Sequence, residues 1–423
     1  MVATGLRARR LFLSRMTDCG TEALAAAFRS VGIAAEVLPP PDARTLEIGV
    51  RHLTGEECLP AKVTLGDYLK VAEAPGFDPT RVAFMMPTTE GPCRFGQYAP
   101  SIRRVFLEIG YPEVAILCPT SGDGYERLDG ADGAASRAAW RAVVASDIVR
   151  KLLLKTRPYE VHAGDTDHEF SGALRDLCLA LERSDPSPKK QIVHVVETLT
   201  RIRDRFRAIP ARYDHDRLFI GVQGEIFCRM EEFSNDRLLR RLEACGGEAW
   251  LSDISEWVWY CNVDQEEGLR HTGRRFSGTM LGARLRDYVQ RADEKVLRAP
   301  FTEDSRGYEE PRGVQEILQA SRRYLPRFGA AGEMVLSAGK VDCFFRRGVD
   351  GIIDVSPFSC MNGIVSEALY PRQSADHAGL PIRNFYFDGT GRDLEADLEI
   401  FLELARAYRQ TKPHPRRYPH WFK

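Results

Sequence analysis

The chain has 423 residues, of which 43% are hydrophobic and 28% charged, with a formal net charge of −1. A single hydrophobic core stops growing at about 250–300 residues, so two domains or more are expected. The near-neutral balance gives no global field towards nucleic acid or an anionic membrane, and no apolar run reaches the ~18–20 residues of a membrane span. The start, MVATGLRARRLFLSRM, carries arginines but no long apolar stretch and no small-residue cleavage site, so no signal peptide is read and a cytoplasmic location is expected. Thiols stay reduced there, and the ten cysteines are expected as thiols, metal ligands or packed hydrophobes rather than as a disulfide framework.

Leu11 to Arg15 predicts a strand, and Thr17 or Asp18 is placed to cap a helix over Ala23 to Val31, ended by Gly32. Ala34 to Leu38 predicts the next strand, stopped by three prolines. A helix follows Cys58, around Val63 to Ala72, and Val82 to Met86 predicts a buried strand. The loop PTTEGPCRFG leads to a helix over Tyr98 to Ile109 and a strand over Val114 to Leu117. From Ala134 to Arg207 the pattern is helical, broken by SDPSPKK (Ser184 to Lys190). Within it, HAGDTDHEF has the look of a His/Asp/Glu metal cluster, but Thr166 and Glu169 have capping-box spacing, which is the better reading.

Ile209 to Arg217 predicts a domain boundary, after which the plan restarts. Leu218 to Val222 is a strand, QGEIFCRMEE a loop, Asn235 to Ala244 a helix and Ala249 to Leu251 a strand. A helical stretch runs over Phe276 to Lys340. The strand Ile352 to Val355, the loop PFSC, a helix through Ile364 to Leu369, the strand Ile382 to Phe387 and the helix Leu394 to Arg409 complete the chain. This alternation predicts an α/β fold with mostly parallel sheets. The segments are an N-terminal α/β domain at 1–133, a helical insertion at 134–210 and a C-terminal α/β domain at 211–423. The basic, aromatic tail RQTKPHPRRYPHWFK is expected to pack on its own domain rather than to bind nucleic acid.

Three cysteines share a local setting: Cys58 in GEECLPAK, Cys93 in EGPCRFGQY and Cys360 in SPFSCMNG. Each follows a loop and precedes a predicted helix, with a proline within three residues. Cys93 and Cys360 also follow strands closely, at the sheet edge where open α/β folds bind ligands. A helix N-terminus offers unpaired N–H groups and partial positive charge, which favour a thiolate or an anionic cluster. Gly91, Gly96 and Gly363 allow close approach of the backbone. No CxxC is present, so spacing alone leaves metal ligands and buried hydrophobes both open. Cys178, Cys245, Cys261 and Cys343 fit the hydrophobic reading; Cys19, Cys118 and Cys228 stand at loop or strand-end positions.

Read together, GEECLPAKVTLGDYLK, GPCRFGQY, GEIFCRMEEFSND, the EW…Y of SEWVWY and DVSPFSCMNGIVSEAL resemble the benzoyl-CoA reductase/2-hydroxyglutaryl-CoA dehydratase family. They look closest to its branch related to the C-terminal region of large acyl-CoA dehydratase activases, and they run in order from about residue 10 to residue 405. The resemblance implies two Rossmann-like α/β domains with a cluster site between them. It implies a [4Fe–4S] cluster on Cys58, Cys93 and Cys360 with one iron open, or, as in a related branch, a double-cubane cluster with more cysteines. It implies an ATP-hydrolysing, actin-like activase as electron donor, and a homodimer or a pair with a related subunit as the assembly. Cys118 and Cys228 depart from the family pattern; either could supply a fourth ligand, which would close the open iron.

The chain carries no GxxxxGK[ST] loop and no Gly-rich acidic phosphate motif, so it is not expected to hydrolyse ATP itself. The expected chemistry is low-potential one-electron reduction of a substrate, with an acyl-CoA implied by the resemblance. Arg94 is a candidate for neutralising charge, and Glu57 and Glu225 are candidate proton donors by loop position. The alternative is an electron-transfer or scaffold partner of an activase, with no substrate of its own.

Overall fold

Short apolar runs become the strands of two four-stranded parallel sheets. The structure is a computed structural model that describes residues 6–89, 91–125, 133–183, 187–311, 313–326, 330–391 and 393–422. It divides into two units. The first comprises Met1–Ser146, Leu174–Thr198 and Val258–Leu297; the second comprises Asp147–Ala173, Leu199–Trp257 and Arg298–Lys423. Residues of the helical stretch 134–210 contribute to both.

In the first unit the chain runs β1 (Arg10–Leu13), α1 (Gly20–Ser30), β2 (Ala35–Val37), α2 (Ala43–Val50), α3 (Leu59–Ala72), β3 (Val82–Met85), α4 (Tyr98–Glu108) and β4 (Ala115–Leu117). The sheet order is β2-β1-β3-β4. Alternation along the strands sends Phe12, Val82, Phe84 and Ile116 to one face and Leu11, Leu13, Ala83 and Leu117 to the other. On the first face Phe84 stacks on Tyr68 of α3 at 4.3 Å and on Phe106 of α4 at 5.4 Å. On the second face Phe28 and Ala25 of α1 close the core.

The helix α2 is an addition to the sequence reading. Its cap is reciprocal: Thr45 N donates to Asp42 Oδ1 at 2.8 Å, and Asp42 N donates to Thr45 Oγ1 at 3.1 Å. Thr stands where Glu or Gln usually completes this motif, which hides it from a pattern search. The helices α2 and α3 cross at two glycines, where a Cβ on Gly49 would fall 2.0 Å from Lys62 O and one on Gly66 1.9 Å from Thr45 O.

The chain continues through α5 (Gly133–Thr156), α6 (Asp165–Glu182) and α7 (Pro188–Ala208). Of the expected break at Ser184 to Lys190, residues 184–186 lie outside the described residues. The expected Thr166/Glu169 capping box is not formed. Glu160 accepts instead, from Gly164 N at 2.9 Å and Thr166 N at 2.7 Å, and Glu169 pairs with Arg205 at 2.6 Å. A carboxylate one turn upstream reaches the open N–H groups first.

The second unit repeats the plan with β5 (Leu218–Gly224), α8 (Ile226–Met230), α9 (Leu238–Ala244) and β6 (Gly247–Leu251). The chain then runs through α10 (Ser255–His271) and α11 (Gly278–Arg298), whose residues 258–297 belong to the first unit, and the second unit resumes with α12 (Val314–Ser321), α13 (Glu333–Arg346), β7 (Gly351–Pro357), α14 (Met361–Asp376), β8 (Ile382–Phe387) and α15 (Leu394–Arg409). Its sheet order, β6-β5-β7-β8, matches that of the first sheet. The stretch expected as helical over Phe276 to Lys340 is interrupted between α11 and α12, where Gly307 takes φ 83° with its α-carbon face against Arg417 O.

Phe219, Trp250, Phe344 and Ile352 centre the core of the second unit. Beside it Lys340 is buried between Glu256 and Glu310, and Glu310 also binds Lys151 at 2.6 Å. The tail packs on this unit, as expected: Arg416 lies 3.9 Å over the Phe219 ring and donates to Glu248 at 2.8 Å. Among the described residues no helix is long and apolar enough to cross a membrane.

Candidate functional site

All ten cysteines are thiols. Cys58, Cys93 and Cys360 share one backbone role. Each is the residue immediately before a helical segment, and each is extended, with φ/ψ of −70°/159°, −68°/135° and −68°/122°. None uses its sulfur to cap the helix it precedes. The sulfur at such a position stands beside the first N–H groups of the turn, where partial positive charge favours an anion.

In the first unit the loops of Cys58 and Cys93 come together. The helix α3 runs back from the carboxyl edge of the sheet to the start of β3, which puts Cys58 at that edge. The strand β3 ends there too and leads into the Cys93 loop. Arg94 donates to Glu56 O at 2.8 Å, tying one loop to the other. The Tyr98 hydroxyl meets Cys58 Sγ at 2.5 Å, and the Phe95 ring holds Tyr98 edge-on at 5.4 Å. Gly96 fits under Thr89 O, where a Cβ would fall 2.9 Å away. Cys118 leaves β4 at the same edge, which the paired extensions Thr88 and Thr120 continue past the sheet. Arg103 donates to its sulfur at 3.0 Å.

Cys360 belongs to the second unit, at the carboxyl end of β7, and is 9% exposed. Ser359 just before it takes φ 62°, the left-handed turn that lets the chain leave the strand and enter α14. Gly363 lies against Ser356, with a Cβ only 2.5 Å from Oγ. Cys228 differs from these three: it lies inside α8, fully buried, with its N–H donated to Glu225 at 2.7 Å.

The acidic candidates separate by environment. Burial pushes the Glu57 carboxyl up, but hydrogen bonds from its own backbone and from Thr54 and Gly55 outweigh this and hold it below the usual range. Glu57 clasps its own loop through Thr54 and Gly55. Glu225 caps α8, accepting from Phe227 N at 3.0 Å and Cys228 N, and burial raises its carboxyl against those N–H groups and Arg229. Glu333, which sequence reasoning missed, accepts from Ile226 N at 2.7 Å. Burial and the neighbouring Glu225 charge push it up to about 8. Arg94 is exposed and its guanidinium is engaged in the loop tie.

Of the cysteines expected as hydrophobes, Cys261 and Cys343 are buried and Cys178 and Cys245 half-buried. Burial pushes the Cys178 and Cys343 thiols up to about 12 and raises Cys245. Tyr98 and Arg103 were also missed, although Tyr98 lies in the GPCRFGQY string and begins α4. Among the described residues no three His, Cys, Asp or Glu side chains are gathered as ligands of one ion. A four-iron cluster is a different test, because its thiolates bind separate irons. Thiolates are the donor type that such a group takes; Cys58 and Cys93 belong to the first unit and Cys360 to the second.

No protein-family model matches the chain, and no curated protein matches it.

Proposed function

We propose that this chain is an iron–sulfur protein for low-potential one-electron reduction, similar in role to 2-hydroxyacyl-CoA dehydratase subunits. The observation that carries the reading is the common conformation of Cys58, Cys93 and Cys360, three extended residues that each lead a helical segment and leave its first N–H groups uncapped by sulfur. These cysteines would hold a [4Fe–4S] cluster, which when bound supplies one low-potential electron and, at an iron without cysteine, a Lewis acid for a carbonyl such as that of an acyl-CoA.

The chain's own residues do the rest. The helix-leading N–H groups and dipoles offset negative charge on sulfur. The Tyr98 hydroxyl, hydrogen-bonded to Cys58 Sγ, would donate to that sulfur as a thiolate, and Arg94 fixes the two loops of the first unit. Glu333 holds a proton at neutral pH and is the better donor than Glu57. Electrons come from a separate ATP-hydrolysing activase, the partner that the sequence resemblance implies.

A second reading is favoured by one contact. Arg103 at 3.0 Å from Cys118 stabilises a thiolate at the same sheet edge as Cys58 and Cys93. A fourth thiolate would close the cluster and make the chain an electron relay or scaffold for the activase; a double-cubane cluster would recruit further cysteines still. Substitution separates these outcomes in protein made under argon. Cys58→Ser, Cys93→Ser and Cys360→Ser should each lose the broad visible absorbance, while Cys178→Ser and Cys245→Ser keep it. Loss in Cys118→Ser as well selects the relay. Identical behaviour of all the variants contradicts the ligand assignment.

A further inference from the structure

The α10–α11 hairpin combines two surface features that the cluster site does not use. The first is charge. From Gly268 to Arg286 the chain carries five arginines, Arg270, Arg274, Arg275, Arg284 and Arg286, and no Asp or Glu. Arg270 and Arg284 share the carboxylate of Glu266 at 2.6 and 3.7 Å, and Arg286 donates to Gln265. Arg274 and Arg275, at the turn, are exposed: the first donates to Thr279 Oγ1 at 3.1 Å, and the second lies 5.3 Å over the Phe276 ring. The second feature is apolar. Phe276 is 93% exposed, and Leu281, Leu285 and Tyr288 of α11 are 70%, 61% and 71% exposed. The spacing i, i+4, i+7 lines these three up on one side of the helix, and Arg284, Arg291 and Lys295 follow along its flank. The opposite side, with Met280, Ala283, Gln290, Asp293, Glu294 and Leu297, is buried, and Trp259 Nε1 donates to Glu294 at 2.9 Å. The hairpin is anchored by that side and turns the stripe outward.

We propose that this face binds an anionic phospholipid surface. With a net charge of −1 the chain as a whole supplies no field, so the attraction is local to the hairpin. Each arginine adds to it within a Debye length of the bilayer, ~8 Å at physiological ionic strength. A guanidinium also meets a phosphate through two parallel hydrogen bonds. The apolar side chains then enter the boundary between headgroups and acyl chains, ~5–10 Å deep, while the long arginine side chains reach back to the phosphates. Phe276, Leu281, Leu285 and Tyr288 together offer on the order of 500 Å² of apolar surface, near the upper end of what a monomer leaves on solvent in one patch. A nucleic acid would engage the arginines but has no use for the leucines, since a single strand is held by stacking aromatics and a basic groove. A bilayer takes both parts of the stripe and needs no pocket shaped to Phe276. Among the described residues no helix is long and apolar enough to cross a membrane, so the proposed contact is peripheral.

Cosedimentation of the full chain with vesicles tests this. The chain should pellet with vesicles of phosphatidylglycerol and phosphatidylcholine in equal parts and stay in solution with phosphatidylcholine alone. The double variant Arg274→Glu/Arg275→Glu and the single variant Leu285→Glu should each bind the anionic vesicles about tenfold more weakly or worse. Both should keep the circular dichroism spectrum and melting temperature, because these side chains lie on solvent. Phe276→Ser, which leaves every charge in place, should weaken binding in the same direction and serves if a charge reversal disturbs the fold. Leu404→Glu, at an exposed leucine of α15, should bind as the parent does. The proposal is overturned if the parent stays in solution with anionic vesicles, if it binds phosphatidylcholine equally well, or if a folded hairpin variant binds as tightly as the parent. Retention of single-stranded RNA by the parent, with no binding to vesicles, would assign the face to nucleic acid and overturn it equally.

Discussion

The Tyr98 hydroxyl stands 2.5 Å from Cys58 Sγ, and donating to a thiolate there it would stabilise the more negative state of anything that sulfur binds. On the proposed reading, Tyr98→Phe should lower the midpoint potential by roughly 50 mV, the equivalent of about 1 kcal/mol for one hydrogen bond in a one-electron couple. An EPR-monitored redox titration reads this; an unchanged potential would leave Tyr98 a packing residue. Glu333 makes a prediction independent of any cofactor. Its carboxyl is raised to about 8 in the folded chain, so between about 4.5 and 8 the folded state binds more protons than the unfolded state. Its contribution to stability is therefore most favourable below that window and is lost as pH rises through it. Glu333→Gln should flatten the decline, so that the variant gains on the parent between about pH 4.5 and 8 in urea unfolding. Parallel stability curves would show that Glu333 titrates normally. Cys58, Cys93 and Cys360 were legible as a set because loop, proline and helix recur around each. Glu333 and Arg103 were not, since their significance lies in what folding brings to Ile226 and Cys118 from distant parts of the chain.

At the scale of elements, the placement of Cys58 depends on the crossing of α2 and α3. The contact is backbone to backbone at Gly49 and Gly66, with no room for a methyl group. Gly66→Ala should destabilise the chain by about 3 kcal/mol or more, since overpacking at this spot must displace a helix backbone rather than a flexible side chain. Chemical denaturation measures the loss, and a change below 1 kcal/mol would mean the helices can separate freely. In the second unit Lys340 sits between Glu256 and Glu310. Removing one partner of a buried ionic group leaves the others uncompensated, and Lys340→Met should cost about 3–5 kcal/mol. The eight strands were legible to within a few residues because buried parallel strands read as short apolar runs. The helix α2 was not, because its cap uses Thr45 where the usual signature has Glu or Gln. The helix α10 was not read as an element either, since SEWVWYCN is apolar on too many positions to show a helical stripe. The Thr166/Glu169 motif failed for the opposite reason: the local pattern was present, but Glu160 outcompeted it.

Across the whole molecule, two sheets of identical strand order carry Cys58, Cys93 and Cys118 towards the carboxyl edge of one and Cys360 at that of the other. The restart of the β-loop-α-β pattern at Leu218 was enough to anticipate this duplication, and the shared orders β2-β1-β3-β4 and β6-β5-β7-β8 are its structural form. The allocation of the helical residues between the two units was beyond sequence reasoning, because helical periodicity records which face is apolar and not which neighbour covers it. Metal analysis of chain made and purified under argon tests the cluster proposed for Cys58, Cys93 and Cys360. The protein should be brown, with about four iron and four acid-labile sulfide per chain. Zinc in their place, or a colourless protein with neither iron nor sulfide, would contradict it.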